Sequence, residues 1–133
     1  LVLHPQESAA VLLRVRAEWP APDALNSSSD IATPEAKERI LRLDSDFKGL
    51  VSGLLGAQRV FDLGDETLLR DLGSVVRPPG GARPLLRVGA MEYPVVVLPS
   101  LVGVAESTFR LLREFRAQGG PVLLAGEAPA LVE

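Results

Sequence analysis

The chain contains no cysteine. That removes disulfides, thiolate metal sites and thiol nucleophiles together. It fits a cytoplasmic location, although a domain with a good core needs no covalent staple in any compartment. One histidine among 133 residues leaves no multi-histidine metal site, and no metal or other cofactor is expected. No apolar run is long enough to span a bilayer and no signal peptide is visible, so no membrane partner is expected. The 14 Lys and Arg are scattered and outnumbered by 17 Asp and Glu. A nucleic-acid partner, which needs a clustered basic patch, is therefore not expected. Phosphate-cradling glycines are also missing. Gly80-Gly81 follows two prolines, Gly119-Gly120 closes a helical pattern, and neither pair joins a strand to a helix start.

What is present is a pattern of α/β structure. Tyr93-Pro94-Val95-Val96-Val97-Leu98-Pro99-Ser100 is an apolar run, and Pro121-Val122-Leu123-Leu124-Ala125-Gly126 is a second. Between them lies an amphipathic stretch from Glu106 to Gln118. It is expected to bury Phe109, Leu112 and Phe115, with Leu111 at the margin and a Glu106–Arg110 pair on the wet face. Two apolar runs around one helix describe a βαβ unit whose strands are buried on both faces. Upstream, Leu1-Val2-Leu3 reads as a first strand and Arg59–Leu63 as a second. Thr33 is a good N-cap and Pro34 suits the first helical position. Ala36, Ile40, Leu43, Phe47, Leu50, Val51, Leu54 and Leu55 then trace one stripe, with Gly56 as the stop. Asp65 can cap a short helix, Glu66–Leu72. Ser74–Val76 and Leu85–Val88, joined by a Pro- and Gly-rich connector, read as a β-hairpin. Residues 8–18 fit a helical turn or a strand, and the Pro-, Ser- and Asn-rich stretch around Trp19 is a long loop.

Right-handed crossovers arrange these pieces as a flavodoxin-like three-layer α/β sandwich. Its sheet is mostly parallel, with strand order 2-1-3-4, plus the short hairpin. Residues 1–133 form one domain. The chain opens inside an apolar run and stops at Leu131-Val132-Glu133, as expected of a domain cut from a longer polypeptide.

In open parallel sheets ligands sit beyond the carboxyl ends of the strands. That rule gathers His4, Gln6, Glu7 and Ser8 after the first strand, and Asp62, Asp65 and Glu66 after the second. It adds Ser100 after the third and Glu127 after the fourth. His4, Glu7 and Ser100 would lie nearest the switch point, where a hydrolytic triad is conceivable. Against it, Pro99-Ser100-Leu101-Val102-Gly103 is not a nucleophile elbow, and Glu7 is too local to His4 to orient it. The plainer reading gives His4 a structural hydrogen bond and Asp65 a helix cap. A carboxylate pair of Glu7 with Asp62 or Glu127 is the kind any acidic domain offers by chance. Trp19 stands alone among prolines, suited to packing on its own domain, on a partner or on a sugar.

The stretch from Tyr93 to Ser100, the helix Glu106–Phe115 and the run Gly119–Gly126 together resemble the trimerisation-type domain of β-galactosidases and related multidomain glycoside hydrolases, which has a class I glutamine amidotransferase-like fold. Val2-Leu3-His4-Pro5 with Glu7 and Ser8, and Val60-Phe61-Asp62-Leu63-Gly64-Asp65-Glu66, look like its first and second strands. Amidotransferase chemistry needs a cysteine and a late histidine, and this chain has neither. The resemblance therefore implies a non-catalytic structural or oligomerisation domain. Its expected partners are the catalytic barrel of the same chain or a second copy of itself, with carbohydrate bound at the parent's active site. His4, Glu7, Ser8, Trp19, Asp62, Asp65, Ser100 and Glu127 are the expected rim or interface residues, and none is assigned a catalytic role. The alternatives are a small-molecule-binding, sensor-like α/β module and a small hydrolase using Ser100 and His4. The phosphoacceptor version of a sensor fits poorly, because His4-Pro5 stands where paired acids are needed.

Overall fold

The structure is a computed structural model that describes residues 1–4 and 34–132. The elements run β1 (Val2–Leu3), α1 (Pro34–Gly56), β2 (Leu63–Gly64), α2 (Glu66–Leu72), β3 (Gly73–Val76), β4 (Leu85–Val88), β5 (Met91–Tyr93), β6 (Val96–Leu98), β7 (Gly103–Val104), α3 (Glu106–Ala117), β8 (Val122–Leu124) and β9 (Leu131–Val132). The fold class is α/β. Four strands form a parallel sheet in the order β2-β1-β6-β8. These are the second, first, third and fourth parallel strands of the expected arrangement.

Register follows from short, fixed pairings. Val2 faces Leu63 on one side and Val97 on the other, and Val96, Val97 and Leu98 face Val122, Leu123 and Leu124. The expected second strand is displaced. Only Leu63 of Arg59–Leu63 lies in β2, and Val60 is fully exposed. The cause is the shortness of β1, which offers only two residues to pair with.

The expected hairpin is a three-stranded antiparallel sheet, β3-β4-β5. Gly89 adopts φ 59° as the first residue of the two-residue loop between the Val88 and Met91 pair. A glycine there suits the right-handed twist of the strands it joins. A further pairing, β7 with β9, was not anticipated.

The main core joins Leu3 of β1, Val96 and Leu98 of β6, Leu69 of α2, Leu86 of β4, and Leu112 and Phe115 of α3. Phe115 is fully buried. Around α3 one expectation fails. Phe109 is 41% exposed, and Thr108 takes the inward position, one turn before Leu112. The inner face of α3 thus runs 108, 112, 115 with Leu111 beside it, a 3.6-residue spacing that excludes 109. The expected burial of all parallel strands on both faces also fails at β8, where Leu123 and Leu124 are 53% and 56% exposed. Along α1 the stripe is mostly half-buried. Leu43 is its one buried residue, packed with Val102 in a second, small cluster.

Candidate functional site

Among the described residues, helix α1 meets the region beyond the carboxyl ends of β1 and β6 at these points. Leu43 packs on Val102. Phe47 meets the ring of His4 edge-on, with centroids 4.8 Å apart and planes at 75°. Asp46 Oδ2 accepts a hydrogen bond from the Ser100 hydroxyl at 2.8 Å. Ser100 is 3% exposed and also accepts the Glu127 N–H at 3.3 Å. Gly126 lets the loop after β8 come this close. A Cβ at 126 would stand 2.1 Å from Ser100 Oγ and 2.7 Å from its backbone nitrogen.

A cleft of about 390 Å³ opens over these groups, lined by Glu35, Glu38, Arg39, Arg42, Leu43, Asp46, Ser100 and Glu127. It lies where the strand order changes direction between β1 and β6, the place where open α/β sheets bind ligands. The described lining carries four carboxylates against two guanidinium groups.

The rim residues separate into three groups. Ser100 and Glu127 are brought together, through the Glu127 N–H. His4 is close by, but its ring is held by Phe47. Its backbone N–H donates to the Gly64 carbonyl at 2.8 Å, while Nδ1 is buried with no hydrogen-bond partner among the described residues. The backbone bond is one any strand residue makes, and the side-chain bond expected of His4 is not found at Nδ1 among the described residues. The Ser100 hydroxyl faces a carboxylate, and carboxylates are weaker bases than imidazole. No Ser–His hydrogen bond joins Ser100 to His4.

Asp62 belongs elsewhere. Because β2 begins at Leu63, Asp62 precedes that strand and sits at the amino end of the sheet, away from Ser100. Its carbonyl accepts the Val2 N–H, and its carboxylate accepts the Tyr93 hydroxyl at 2.9 Å. Burial, followed by that hydrogen bond, pushes the Tyr93 phenol above its ordinary value. Asp65 does follow β2, but its side chain caps α2, accepting the N–H groups of Thr67 at 2.8 Å and Leu68 at 3.3 Å. Gln6, Glu7, Ser8, Trp19 and the Thr33 cap lie outside the described residues.

Three participants escaped the sequence reading. Asp46 and the pair Arg39 and Arg42 lie three or four positions from Leu43 or from one another, flanking the one buried residue of α1. Their spacing around Leu43 is the signal that finds them, once Leu43 is known to face inward. Glu66, expected at the rim after the second strand, is instead buried in the first turn of α2, where its Oε2 accepts the Ala105 N–H at 2.8 Å. It supplies a side-chain acceptor to the start of α3, where Ala105 has none of its own. Among the described residues no group of three His, Asp or Glu side chains is disposed to hold a metal ion. No helix there is long and apolar enough to cross a membrane.

Fold and site together define an α/β protein with a parallel sheet and a cleft lined mostly by charged residues at its switch point. No family model, curated protein or solved structure matches the chain.

Proposed function

We propose that the chain is a non-catalytic α/β module that packs against a larger partner. The partner is the catalytic domain or a second subunit of a multidomain glycoside hydrolase. The observation that carries the docking reading is a groove of about 820 Å³ beside β8, floored by Leu98, Val104, Leu112 and Val122 and edged by Phe109, Leu123 and Leu124. Apolar surface of this kind, left open at a sheet edge, marks an interaction site. The rim supports a non-catalytic role, because Ser100 is tied to Asp46 and lacks a general base of imidazole type. The strand order supports a flavodoxin-like, amidotransferase-like arrangement. The glycoside hydrolase setting is carried by the resemblance of the segment from Tyr93 to Gly126.

Amide hydrogen exchange of the chain alone and within its full-length gene product tests the reading. Slower exchange over β8 and α3 in the full-length protein is the expected result. No segment gaining protection would overturn docking. Turnover of aryl glycosides by the isolated chain, lost in Asp46→Asn, would overturn the non-catalytic role.

A second reading has its own support in the cleft over Ser100, whose position suits a small-molecule-binding module. A thermal-shift screen with monosaccharides and nucleotides separates the two. A rise in Tm with a nucleotide, abolished by Arg39→Ala, would favour the sensor.

A further inference from the structure

We infer that the open edge of β8 and its groove receive an extended apolar segment carrying carboxylates, which adds to the sheet as a further strand; this rests on the docking reading above. The backbone is suited to it. On the β6 side, the Pro121 carbonyl accepts the Val96 N–H at 3.1 Å and the Ala125 N–H donates to the Leu98 carbonyl at 2.8 Å. Peptide groups alternate in direction along a strand, so those of Val122 and Leu124 point away from β6. Among the described residues no strand pairs with that side.

Natural sheets blunt such edges with lysine, proline or a covering element, because an open edge templates a further strand. Here the edge reads Val122-Leu123-Leu124, with both leucines more than half exposed. Successive strand residues point to opposite faces, so an added strand would meet apolar side chains above and below.

Charge selects the occupant. The α3 wall of the groove presents Arg113 and Arg116, and neither forms an ion pair among the described residues. Arg110 of the same helix is already held by Glu106. Two free guanidinium groups beside an apolar floor favour carboxylates over ammonium groups on the incoming strand. A second copy of β8 is the poorer match. Residues 121–126 contain no acidic side chain, so pairing two such edges would leave all four arginines unmatched. Main-chain hydrogen bonds would supply affinity, and alternate side chains would supply selectivity.

The test uses two fluorescein-labelled heptapeptides of alternating valine and glutamate or valine and lysine, titrated with the full chain and read by anisotropy at low salt. The glutamate peptide is expected to bind about tenfold tighter, as two screened charge pairs allow. The double variant R113E/R116E should reverse the preference. Leu124→Pro should abolish binding while leaving circular dichroism and Tm close to wild type, because the amide it removes is not used inside the domain. Equal binding of both peptides, binding of neither, or binding retained in Leu124→Pro would each overturn the inference. So would a concentration-dependent dimer in sedimentation velocity that Leu124→Pro dissolves, which would make the occupant a second copy. If exchange at β8 slows in the full-length protein yet neither peptide binds, the docking reading stands and this inference fails.

Discussion

Gln58 carries a backbone strain that its neighbours explain. Its φ is 53°, in the left-handed region. The Gln58 N–H donates to the Leu55 carbonyl and the Arg59 N–H to Leu54, both at 2.9 Å, the paired bonds of a Schellman stop. Helix α3 ends in the same way, with Gly119 at φ 95° and the bonds Gly119 N–H to Arg116 and Gly120 N–H to Phe115. One helix has glycine where the chain turns left-handed, and the other has a residue with a Cβ that disfavours the turn. Gln58→Gly should therefore stabilise the protein by about 1 kcal/mol in urea denaturation. Unchanged stability would mean that the glutamine side chain contributes something the bare turn does not. Tyr93 offers a second single-residue test, because it is the only tyrosine and the rise in ultraviolet absorbance on phenol ionisation reports on it alone. Folding favours its neutral phenol, so that stabilisation is complete below pH about 10 and fades as pH rises through the higher folded-state value. The spectrophotometric midpoint should lie above that of the urea-unfolded chain, and Asp62→Asn should bring it down. A folded midpoint at or below the unfolded one would contradict the burial of the ring and its bond to Asp62.

At the scale of elements, legibility followed how local the determining interactions are. Helix α2 was readable because Asp65 caps it within its own first turn. Helix α3 was readable in length, with glycine at its end, but the placement of Phe109 was not. Periodicity leaves two adjacent stripes open, and the choice of 108-112-115 was made by the sheets it packs against. Strand β5 went unseen because Met91-Glu92-Tyr93 has no apolar run. What holds it is pairing with β4, including the cross-strand contact of Arg87 with Glu92. The Glu66 bond to Ala105 spans 39 residues and leaves no trace in local spacing. It is also the element-level contact whose loss should be most specific. A buried carboxylate accepting a backbone N–H contributes about 1.5–3 kcal/mol. Glu66→Ala should destabilise by about 2 kcal/mol in denaturant titration and speed exchange of the Ala105 amide, with α1 unaffected. A loss below about 0.5 kcal/mol would show that Ala105 finds another acceptor.

For the whole molecule, the order of the parallel strands was legible because apolar runs and crossover rules constrain topology strongly. The site was legible only in outline. Ser100 and Glu127 meet as strand-end reasoning expects, but their partner Asp46 comes from a helix whose facing residues depend on tertiary contact, and Asp62 moved to the far end when β2 shifted. The two core clusters explain how the molecule should come apart. Phe115 belongs to the main cluster, which draws on the parallel sheet, the β3-β4-β5 sheet and helices α2 and α3, whereas among the described buried residues Leu43 packs with Val102 in a cluster of its own. Truncating Phe115 to alanine should cost about 4 kcal/mol, and Leu43→Ala about 2 kcal/mol at the more open rim. Since the clusters share no member, the two losses should add to within about 0.5 kcal/mol. They should differ in reach. Phe115→Ala should raise exchange through β6, β8 and α3 together, while Leu43→Ala should do so along α1 and at the Ser100 cleft alone. A double mutant far from additive, or loss of protection in β6 on Leu43→Ala, would mean that α1 is an integral layer of the core and that the cleft over Ser100 is as rigid as the sheet beneath it.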